Sequence, residues 1–311
     1  MPRNTKKIQL IKGRRLRVTR LDGCGRPVYG DGSVVTSKGF ISVALTANTS
    51  DSDEINLQNA NGESIVFEPS VTSLTGYGVE ISLGEADPDL MAIVAVSVTQ
   101  VLDRDGNPAG IDIDTAADST TGGFALEVWA GAPTGDSCDD DASEGSFGYI
   151  LLPFLQGGIV GDFTIENDAV TFTLQGAQTK SGNAWGRGPY DVQLQADSTP
   201  GPLLSPIKST AALRMILVDV APPAVETGAR PLLNPNATAL TGVTVSATAK
   251  VATVTFAPAG AVATGVFVDF GDGTWDYVTT TTTTHTYETA GTYTVEATTN
   301  GDFVSGNVTI S

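Results

Sequence analysis

The chain of 311 residues has very few of the side chains on which catalysis and metal binding depend. It has one histidine, His285, and two cysteines, Cys24 and Cys138, which lie far apart and outside any Cys-x-x-Cys pattern. Catalytic triads and Cys–His pairs need an imidazole base, and zinc sites need clustered His and Cys ligands. We therefore expect no enzymatic activity, no cofactor and no metal site. His285 is expected to be structural, and the cysteines to be ordinary thiols of a reduced compartment.

Positive charge is scarce and is concentrated at one end. The chain has 17 Lys and Arg against 35 Asp and Glu, which gives a net charge of -18 at pH 7. This balance argues against a general binder of nucleic acid or anionic membrane, because phosphate contacts need basic surface. More than half of the basic residues precede position 27, where Asp22 is the single acid. A basic N-terminal segment on an acidic body suits head-to-tail self-assembly, and a solvated terminus is the alternative.

Long apolar runs are also missing. The longest, 90–96, is far too short to cross a bilayer, so we expect no membrane insertion. The charged start is not followed by the apolar stretch of a secretory signal, which favours synthesis in a cytoplasm. Aromatic residues make up 7% of the chain and leave few rings for stacking on sugars.

The abundant residues favour β-structure. Thr, Val and Gly recur, and few segments keep the period of a helix. A first strand is indicated by the alternation of Ile8, Leu10, Leu16 and Val18. Further strands are predicted over 40–45, 64–67, 78–83, 123–129, 148–155, 161–166, 169–176 and 213–220. Asn167-Asp168 is predicted to make a tight turn.

One helix is predicted, beginning at Asp87-Pro88-Asp89. Asp87 is a good N-cap, Pro88 suits the first helical position, and Asp89 complements the positive end of the helix. The apolar residues that follow predict a short helix laid on a sheet. The polar segments 46–63 and 98–122 are predicted as long loops, either functional or disordered.

Two acidic clusters raise the question of cation binding. Four residues have the spacing of positions one, three, five and twelve of a calcium loop: Asp103, Asp105, Asn107 and Asp114. The sixth position, which needs Gly for its sharp turn, is Pro108, and the last ligand is Asp rather than Glu, so a solvated loop is favoured. The acidic run 136–144 is also interpreted as a solvated loop, with a loose cation site or a partner for a basic arm as alternatives.

A proline-rich stretch divides the chain. Residues 222–238 contain several prolines and no hydrophobic period, which predicts a linker between domains. We therefore predict a first domain over 1–235 and a second over 239–311.

The second domain carries the clearest motif, Asp-Phe-Gly-Asp-Gly-Thr from Asp269, followed by His-x-Tyr and Gly-x-Tyr-x-Val. Its signature residues are Asp269, Gly271, Asp272, Gly273, Tyr287 and Tyr293. The Asp and Gly residues suit a turn between strands, and the even spacing of the tyrosines places both rings on one face. One tyrosine hydroxyl is expected to bond a backbone carbonyl. The segment resembles the polycystic-kidney-disease-type (PKD) immunoglobulin-like domain, although Val268 stands where that family usually has Trp.

The first domain resembles a second family through five segments, which are 17–28 (RVTRLDGCGRPV), 39–45 (GFISVAL), 59–63 (NANGE), 87–90 (DPDL) and 182–192 (GNAWGRGPYDV). They are similar to the major tail, or tail tube, proteins of long-tailed (siphovirus-type) phages that infect actinobacteria. The resemblance implies a mainly β fold, a tail-tube-type β-sandwich or barrel with one short flanking helix, followed by the Ig-like β-sandwich. It also implies hexameric rings that stack into a conduit for DNA, decorated outside by the Ig-like domain.

The same resemblance implies the partners. These are other copies of the chain, the terminator, tape measure and distal tail proteins, and genomic DNA that passes through the lumen without specific binding. The expected location is the virion tail after synthesis in the host cytoplasm, with weak contact to the host surface through the Ig-like domain. Inter-subunit contacts are expected at Lys12, Arg14, Arg15 and Arg17, and at Asp51, Asp53 and Glu54. The alternative function is a secreted adhesin or carbohydrate-binding protein with a PKD-type module.

Overall fold

In a computed structural model, the structure describes residues 11–104, 106–117, 122–131, 147–163, 170–225, 227–234, 238, 240–258, 265–299 and 303–311. The described chain is mainly β and contains one helix. It forms two compact units, one of Met1–Pro27 with Thr36–Gly228, the other of Val28–Val35 with Ala229–Ser311. We call them the body unit and the Ig-like unit.

The elements before residue 220 belong to the body unit, except that the first part of β2 belongs to the Ig-like unit. In chain order they are β1 (Ile11–Leu21), β2 (Gly30–Ser37), β3 (Phe40–Asp51), β4 (Ile55–Gln58), β5 (Ser64–Glu68), β6 (Thr72–Leu83), α1 (Pro88–Val94), β7 (Val98–Leu102), β8 (Pro108–Ile113), β9 (Gly123–Gly131), β10 (Phe147–Gln156), β11 (Ile159–Val160), β12 (Phe172–Thr179), β13 (Gln193–Leu194), β14 (Pro200–Gly201) and β15 (Arg214–Val218). The remaining strands belong to the Ig-like unit. They are β16 (Arg230–Leu232), β17 (Gly242–Thr248), β18 (Val251–Ala257), β19 (Val266–Asp269), β20 (Trp275–Val278), β21 (Thr282–Thr286), β22 (Gly291–Thr298) and β23 (Phe303–Ile310).

The main sheet of the body unit is antiparallel, in the order β1-β9-β10-β12-β6-β3, with β15 also on β10 and β11 on β12. Every residue of β9 is buried, and β10 is almost entirely buried. These central strands therefore lie in the interior of the unit, and their apolar side chains form its core. Trp129 and Tyr149 are the largest fully buried side chains there, with ring centroids 5.2 Å apart.

The predicted helix is confirmed. Asp87 is its N-cap, and its carboxylate accepts hydrogen bonds from the backbone N–H of Asp89 at 3.0 Å and of Leu90 at 3.2 Å. Pro88 takes the first helical position, where a missing N–H costs nothing. The helix buries Leu90, Met91, Ile93 and Val94 against the rest of the body unit.

The prediction of two long polar loops is wrong. Segment 46–63 holds the second half of β3 and all of β4, while 98–122 holds the hairpin of β7 and β8. Both hairpins are exposed on both faces, so they lack the alternation of apolar and polar residues from which a half-buried strand is recognised. The strand predicted over 161–166 is also wrong at 161–163, which lie beyond the end of β11; residues 164–169, with the predicted Asn167-Asp168 turn, lie outside the described residues.

The hairpin that starts with β3 and returns through β6 has an outer part that we call the arm, residues 49–75. Every arm residue except Asn59 is exposed. Beyond the β3–β6 pairing, β4 and β5 continue it as a two-stranded ribbon. The NANGE segment is its turn, in which the Asn59 side chain accepts hydrogen bonds from the N–H of Asn61 and of Glu63, both at 2.9 Å.

The Ig-like unit contains a three-stranded sheet, β17-β18-β21, and a four-stranded sheet, β20-β19-β22-β23. Alternate residues of both sheets point into one core, which includes Val254, Phe256, Val268, Tyr287 and Val295. Val268 is fully buried at the position where the PKD family usually has Trp. Short β16 also pairs with β2 in this unit, so the predicted linker 222–238 contains a strand.

Candidate functional site

The basic residues of β1 differ in their surroundings. Lys12 is exposed, with a φ of 49°, at a bulge in the pairing of β1 with β9. Arg14 and Arg15 are half-buried, and one guanidinium N–H of Arg15 donates to the carbonyl of Arg14 at 2.8 Å. The Nε of Arg15 is buried and has no hydrogen-bond partner among the described residues. Residues 1–10, with Arg3, Lys6 and Lys7, lie outside the described residues.

Arg17 does not belong to this surface, and its expected role in inter-subunit contact is wrong. The residue is 7% exposed, and its guanidinium donates two hydrogen bonds to the carboxylate of Glu127, at 2.6 and 2.7 Å. Its Cζ lies 3.4 Å from the ring centroid of Tyr190 and 5.0 Å from that of Trp129. Arg17 is therefore committed to an ion pair inside its own chain and is not available to a neighbouring copy.

Glu127, which is 0% exposed, is the centre of this network. The hydroxyl of Tyr149 donates to its Oε1 at 2.7 Å, and the hydroxyls of Thr19 and Tyr190 share a hydrogen bond of 2.7 Å. Burial, and then the neighbouring carboxylate, raise the pKa of Tyr149 well above its ordinary value, so this phenol stays a donor. Burial opposes the charge of Arg17 but Glu127 outweighs it, and the pKa of Arg17 is raised. A closed, fully paired network of this kind holds strands in register.

The expected acidic contacts all lie on the exposed hairpin. Asp51 ends β3 opposite Thr72, and Asp53 and Glu54 lie between β3 and β4. Among the described residues, none of the three makes an ion pair. The whole hairpin 40–83 has six carboxylates and no Lys or Arg: Asp51, Asp53, Glu54, Glu63, Glu68 and Glu80. It therefore carries uncompensated negative charge.

The arm also exposes apolar side chains on both faces. The β4–β5 register places Leu57 opposite Val66 on one face and Phe67 opposite Asn56 on the other. Leu57 is 56% and Phe67 59% exposed. Ile55, Ile65, Val71 and Leu74 are exposed as well. A two-stranded ribbon in water is marginally stable at best, and apolar groups exposed on both of its faces make it a candidate interaction surface.

A second exposed apolar group lies on the β7–β8 hairpin, with Val101, Leu102 and Ile113. Its turn is formed by Asp103, whose carboxylate accepts from the N–H of Asn107 at 2.9 Å. Asp114, by contrast, lies at the base of the hairpin, where its N–H bonds the carbonyl of Ser97 at 2.8 Å. The calcium-like spacing therefore does not bring Asp103 and Asp114 together.

The segments 17–28 and 182–192 meet through Gly25 and Ala184. The N–H of Ala184 donates to the carbonyl of Gly25 at 3.2 Å. A Cβ atom on Gly25 would lie 3.0 Å from Phe154 and 3.1 Å from Asn183, so a side chain there would be crowded. Tyr190 of the same segment stacks on Arg17. Buried Asn183 donates to the carbonyls of Lys208 and Ser209, both at 3.1 Å. Sequence reasoning did not find the roles of Asn183 or Glu127, because their partners are remote in the chain.

The single histidine, His285, contacts the Asp-Gly turn of the Ig-like unit from β21. The Nε2 of His285 lies 2.8 Å from the Asp272 carboxylate, and its ring stacks on Phe270 with centroids 4.1 Å apart. Burial raises the pKa of Asp272, but hydrogen bonds from Thr274 and His285 outweigh it, and the net pKa is lowered. Asp269 accepts from the N–H of Gly271 at 2.8 Å. His285 is a structural residue here, as predicted.

The two signature tyrosines lie on one face, as predicted, with centroids 4.2 Å apart. The hydroxyl of Tyr287 donates to the carbonyl of Phe270 at 2.9 Å, and that of Tyr293 to the carbonyl of Thr289 at 3.0 Å. Burial raises the pKa of Tyr287 to about 12. The phenol hydroxyl of Tyr287 therefore remains protonated, and its hydrogen bond ties the turn to the core.

No three His, Cys, Asp or Glu side chains of the described chain are grouped so that they could hold a metal ion. No helix within the described ranges is long and apolar enough to cross a membrane. Cys138 and the acidic run 136–144 lie outside the described residues.

No curated protein matches the chain. Residues 228–309 match the family model of the PKD domain, and this match contains the two-sheet sandwich, except the last residue of β23, with its Asp-Gly turn and paired tyrosines. The C-terminal part of the chain is thus a PKD domain of Ig-like fold.

Proposed function

We propose that the protein is a structural subunit that assembles with copies of itself into a phage tail tube, a stack of hexameric rings that conducts DNA. The observation that carries the proposal is the arm, with apolar side chains exposed on both faces of an unsupported ribbon. Hexameric symmetry and the role in a tail are supported by the resemblance of the body unit to major tail proteins. The PKD domain is proposed to decorate the outside of the tube.

The charge layout supports another copy as the partner of the arm. The hairpin 40–83 is acidic and lacks cations, whereas β1 presents Lys12, Arg14 and Arg15. Head-to-tail contact between unlike patches of identical chains produces rings or open stacks rather than a two-fold dimer. A conduit also benefits from a predominantly acidic chain, since like charge keeps passing DNA from adhering to the wall.

The first experiment removes the apolar groups of the arm. Replacing Leu57, Val66 and Phe67 with Thr keeps the β-propensity of the ribbon and changes residues that are exposed in a single chain. Each apolar side chain that assembly buries contributes roughly 1.5–3 kcal/mol, so the triple variant should lose assembly by several orders of magnitude in affinity. The measurement is sedimentation velocity over a concentration series.

The matched control is a triple Thr variant of exposed apolar residues elsewhere in the body unit, Ile159, Leu204 and Met215. It should assemble as the unmodified chain does. Equal assembly of the arm variant and the control, with both folded by circular dichroism, would contradict the role of the arm.

The second experiment tests the ionic part of the contact. Reversing Lys12 and Arg14 to Glu should block assembly, and reversing Asp51 and Asp53 to Lys should do the same. The chain with all four changes should assemble again, because the opposite charges meet across the interface. Assembly of either double variant, or failure of the fourfold variant to assemble, would remove these residues from the contact. Arg17 is left unchanged, since its loss would damage the fold.

A further inference from the structure

We propose that residues 28–35 are a structural segment of the Ig-like unit, bound with β16 on an aromatic face of the four-stranded sheet. We call this segment together with Ala229–Leu232 the strap. The PKD match begins at residue 228 and does not include 28–35. The binding of the strap to this face does not require tube assembly.

The aromatic face follows from the register of β19 and β20. Phe267 lies opposite Tyr277, and Asp269 opposite Trp275. Alternation places these side chains on one face of the pair, while Val266 and Val268 point into the core. Phe267 and Trp275 are in contact, with ring centroids 5.4 Å apart. The outer face of this sheet thus presents three aromatic rings.

Arg230 of the strap covers two of these rings. Its guanidinium carbon lies 4.5 Å from the ring centroid of Trp275 and 5.9 Å from that of Phe267. A planar guanidinium over aromatic rings is held by electrostatic attraction and by stacking, neither of which a point charge such as Lys reproduces fully.

Gly30 of the strap approaches the third ring. A Cβ atom on Gly30 would lie 3.5 Å from Cε1 of Tyr277, and the residue has a φ of 114°, which L side chains rarely adopt. Asp31 is close enough that its charge, after burial, raises the pKa of Tyr277. A larger residue at position 30 would strain the backbone and crowd the ring.

The two parts of the strap are joined to each other. In the pairing of β16 with β2, Arg230 is the partner of Val34 and Leu232 the partner of Gly30. Ser33 and Leu232 are buried. An extended, glycine-containing strand of the same chain is therefore the partner that this aromatic face accepts.

With the strap included, the chain connects the PKD domain to the body unit at more than one point. The chain passes between the two units after Pro27, after Val35 and after Gly228, whereas a domain on a single linker is connected once. A second consequence is that the aromatic face is occupied by the chain's own residues and is not an open platform for a sugar.

The experiment uses the full chain with a specific protease site inserted at 235–237. Cleavage leaves the strap on the N-terminal piece and the rest of the Ig-like unit on the C-terminal piece. The N-terminal piece is captured through a tag, and the retained C-terminal piece is quantified after washing. We expect retention in the unmodified sequence and at least a tenfold loss when Gly30→Val and Arg230→Ala are combined.

The control variant is Lys250→Ala, which removes an exposed hydrogen bond to the Glu288 carbonyl elsewhere in the unit and should leave retention unchanged. Before cleavage, every variant is compared with the parent by circular dichroism. If the combined variant is misfolded, Arg230→Lys replaces it and should lower retention by a smaller factor. Release of the C-terminal piece from the unmodified sequence would overturn the proposal, and so would full retention in the folded strap variants.

Discussion

Replacing Arg17 with Met tests whether the buried ion pair fixes the main sheet. The change removes two short hydrogen bonds to Glu127 and the stacking on Tyr190, and leaves a fully buried carboxylate without its cation. Breaking a buried pair from one side costs about 3–5 kcal/mol. For a unit of this size that corresponds to a fall in Tm of roughly 6–20 °C.

The assay is thermal unfolding followed by near-ultraviolet circular dichroism, which reports on the packing of Trp129 and Tyr149. The matched control is Arg20→Met on the same strand, an exposed position where the effect should stay within about 0.5 kcal/mol. Replacing Arg17 with Met and Glu127 with Leu together should restore most of the stability that Arg17→Met loses. A deficit of about 1–3 kcal/mol should remain, because the Tyr149 hydroxyl then lacks its acceptor. An Arg17→Met chain as stable as the Arg20→Met control would refute the reasoning.

Three further predictions concern local contacts. Asp87→Ala should lower the stability of the body unit by about 1 kcal/mol through loss of the N-cap, measured by urea unfolding against Glu85→Ala, a change at an exposed residue just before the cap, as control. Tyr287→Phe should cost the Ig-like unit about 1–3 kcal/mol, because a buried carbonyl loses its donor, and an unchanged unfolding midpoint would contradict the hydrogen bond. The pKa of Asp272 is lowered on folding, so its contribution to stability is present above its ordinary pKa and is lost as pH falls through the folded value. Asp272→Asn should weaken the dependence of the stability of this unit on pH over that range. An unaltered dependence would show that the Asp272 carboxylate does not contribute to it.

Local signals in the sequence predicted the helix and the Ig-like turn well. Asp87 and Pro88 act on the first helical turn, and the Asp-Gly residues and tyrosines act within a few positions of one another. Their physical effect does not depend on the rest of the fold. This is why such features are visible in one sequence.

Nonlocal features were not predictable in the same way. Alternation in β1 places the side chain of Arg17 on the face opposite to that of Leu16 and Val18, which suggests that Arg17 faces solvent. In the structure, however, β1 is buried on both faces from Leu16 to Thr19. Its partner Glu127 lies 110 positions away. No pattern near Arg17 distinguishes it from Arg15.

The arm and the strap could not be predicted from the sequence, for related reasons. A ribbon exposed on both faces keeps no apolar period, so the polar residues around Asp51 indicated a loop. The strap joins Gly30 to a strand that begins at Arg230, and the proline-rich composition of 222–238 indicated only a linker. Only the folded chain brings these segments together.

Electron microscopy of the concentrated, purified chain at low ionic strength tests the central claim most directly. We predict rings or hollow tubes that disperse as salt is raised, since screening would weaken the proposed contact between Arg14 and the carboxylates of the arm. Dispersed single particles at every concentration and ionic strength would contradict the proposal that this chain builds a conduit from copies of itself.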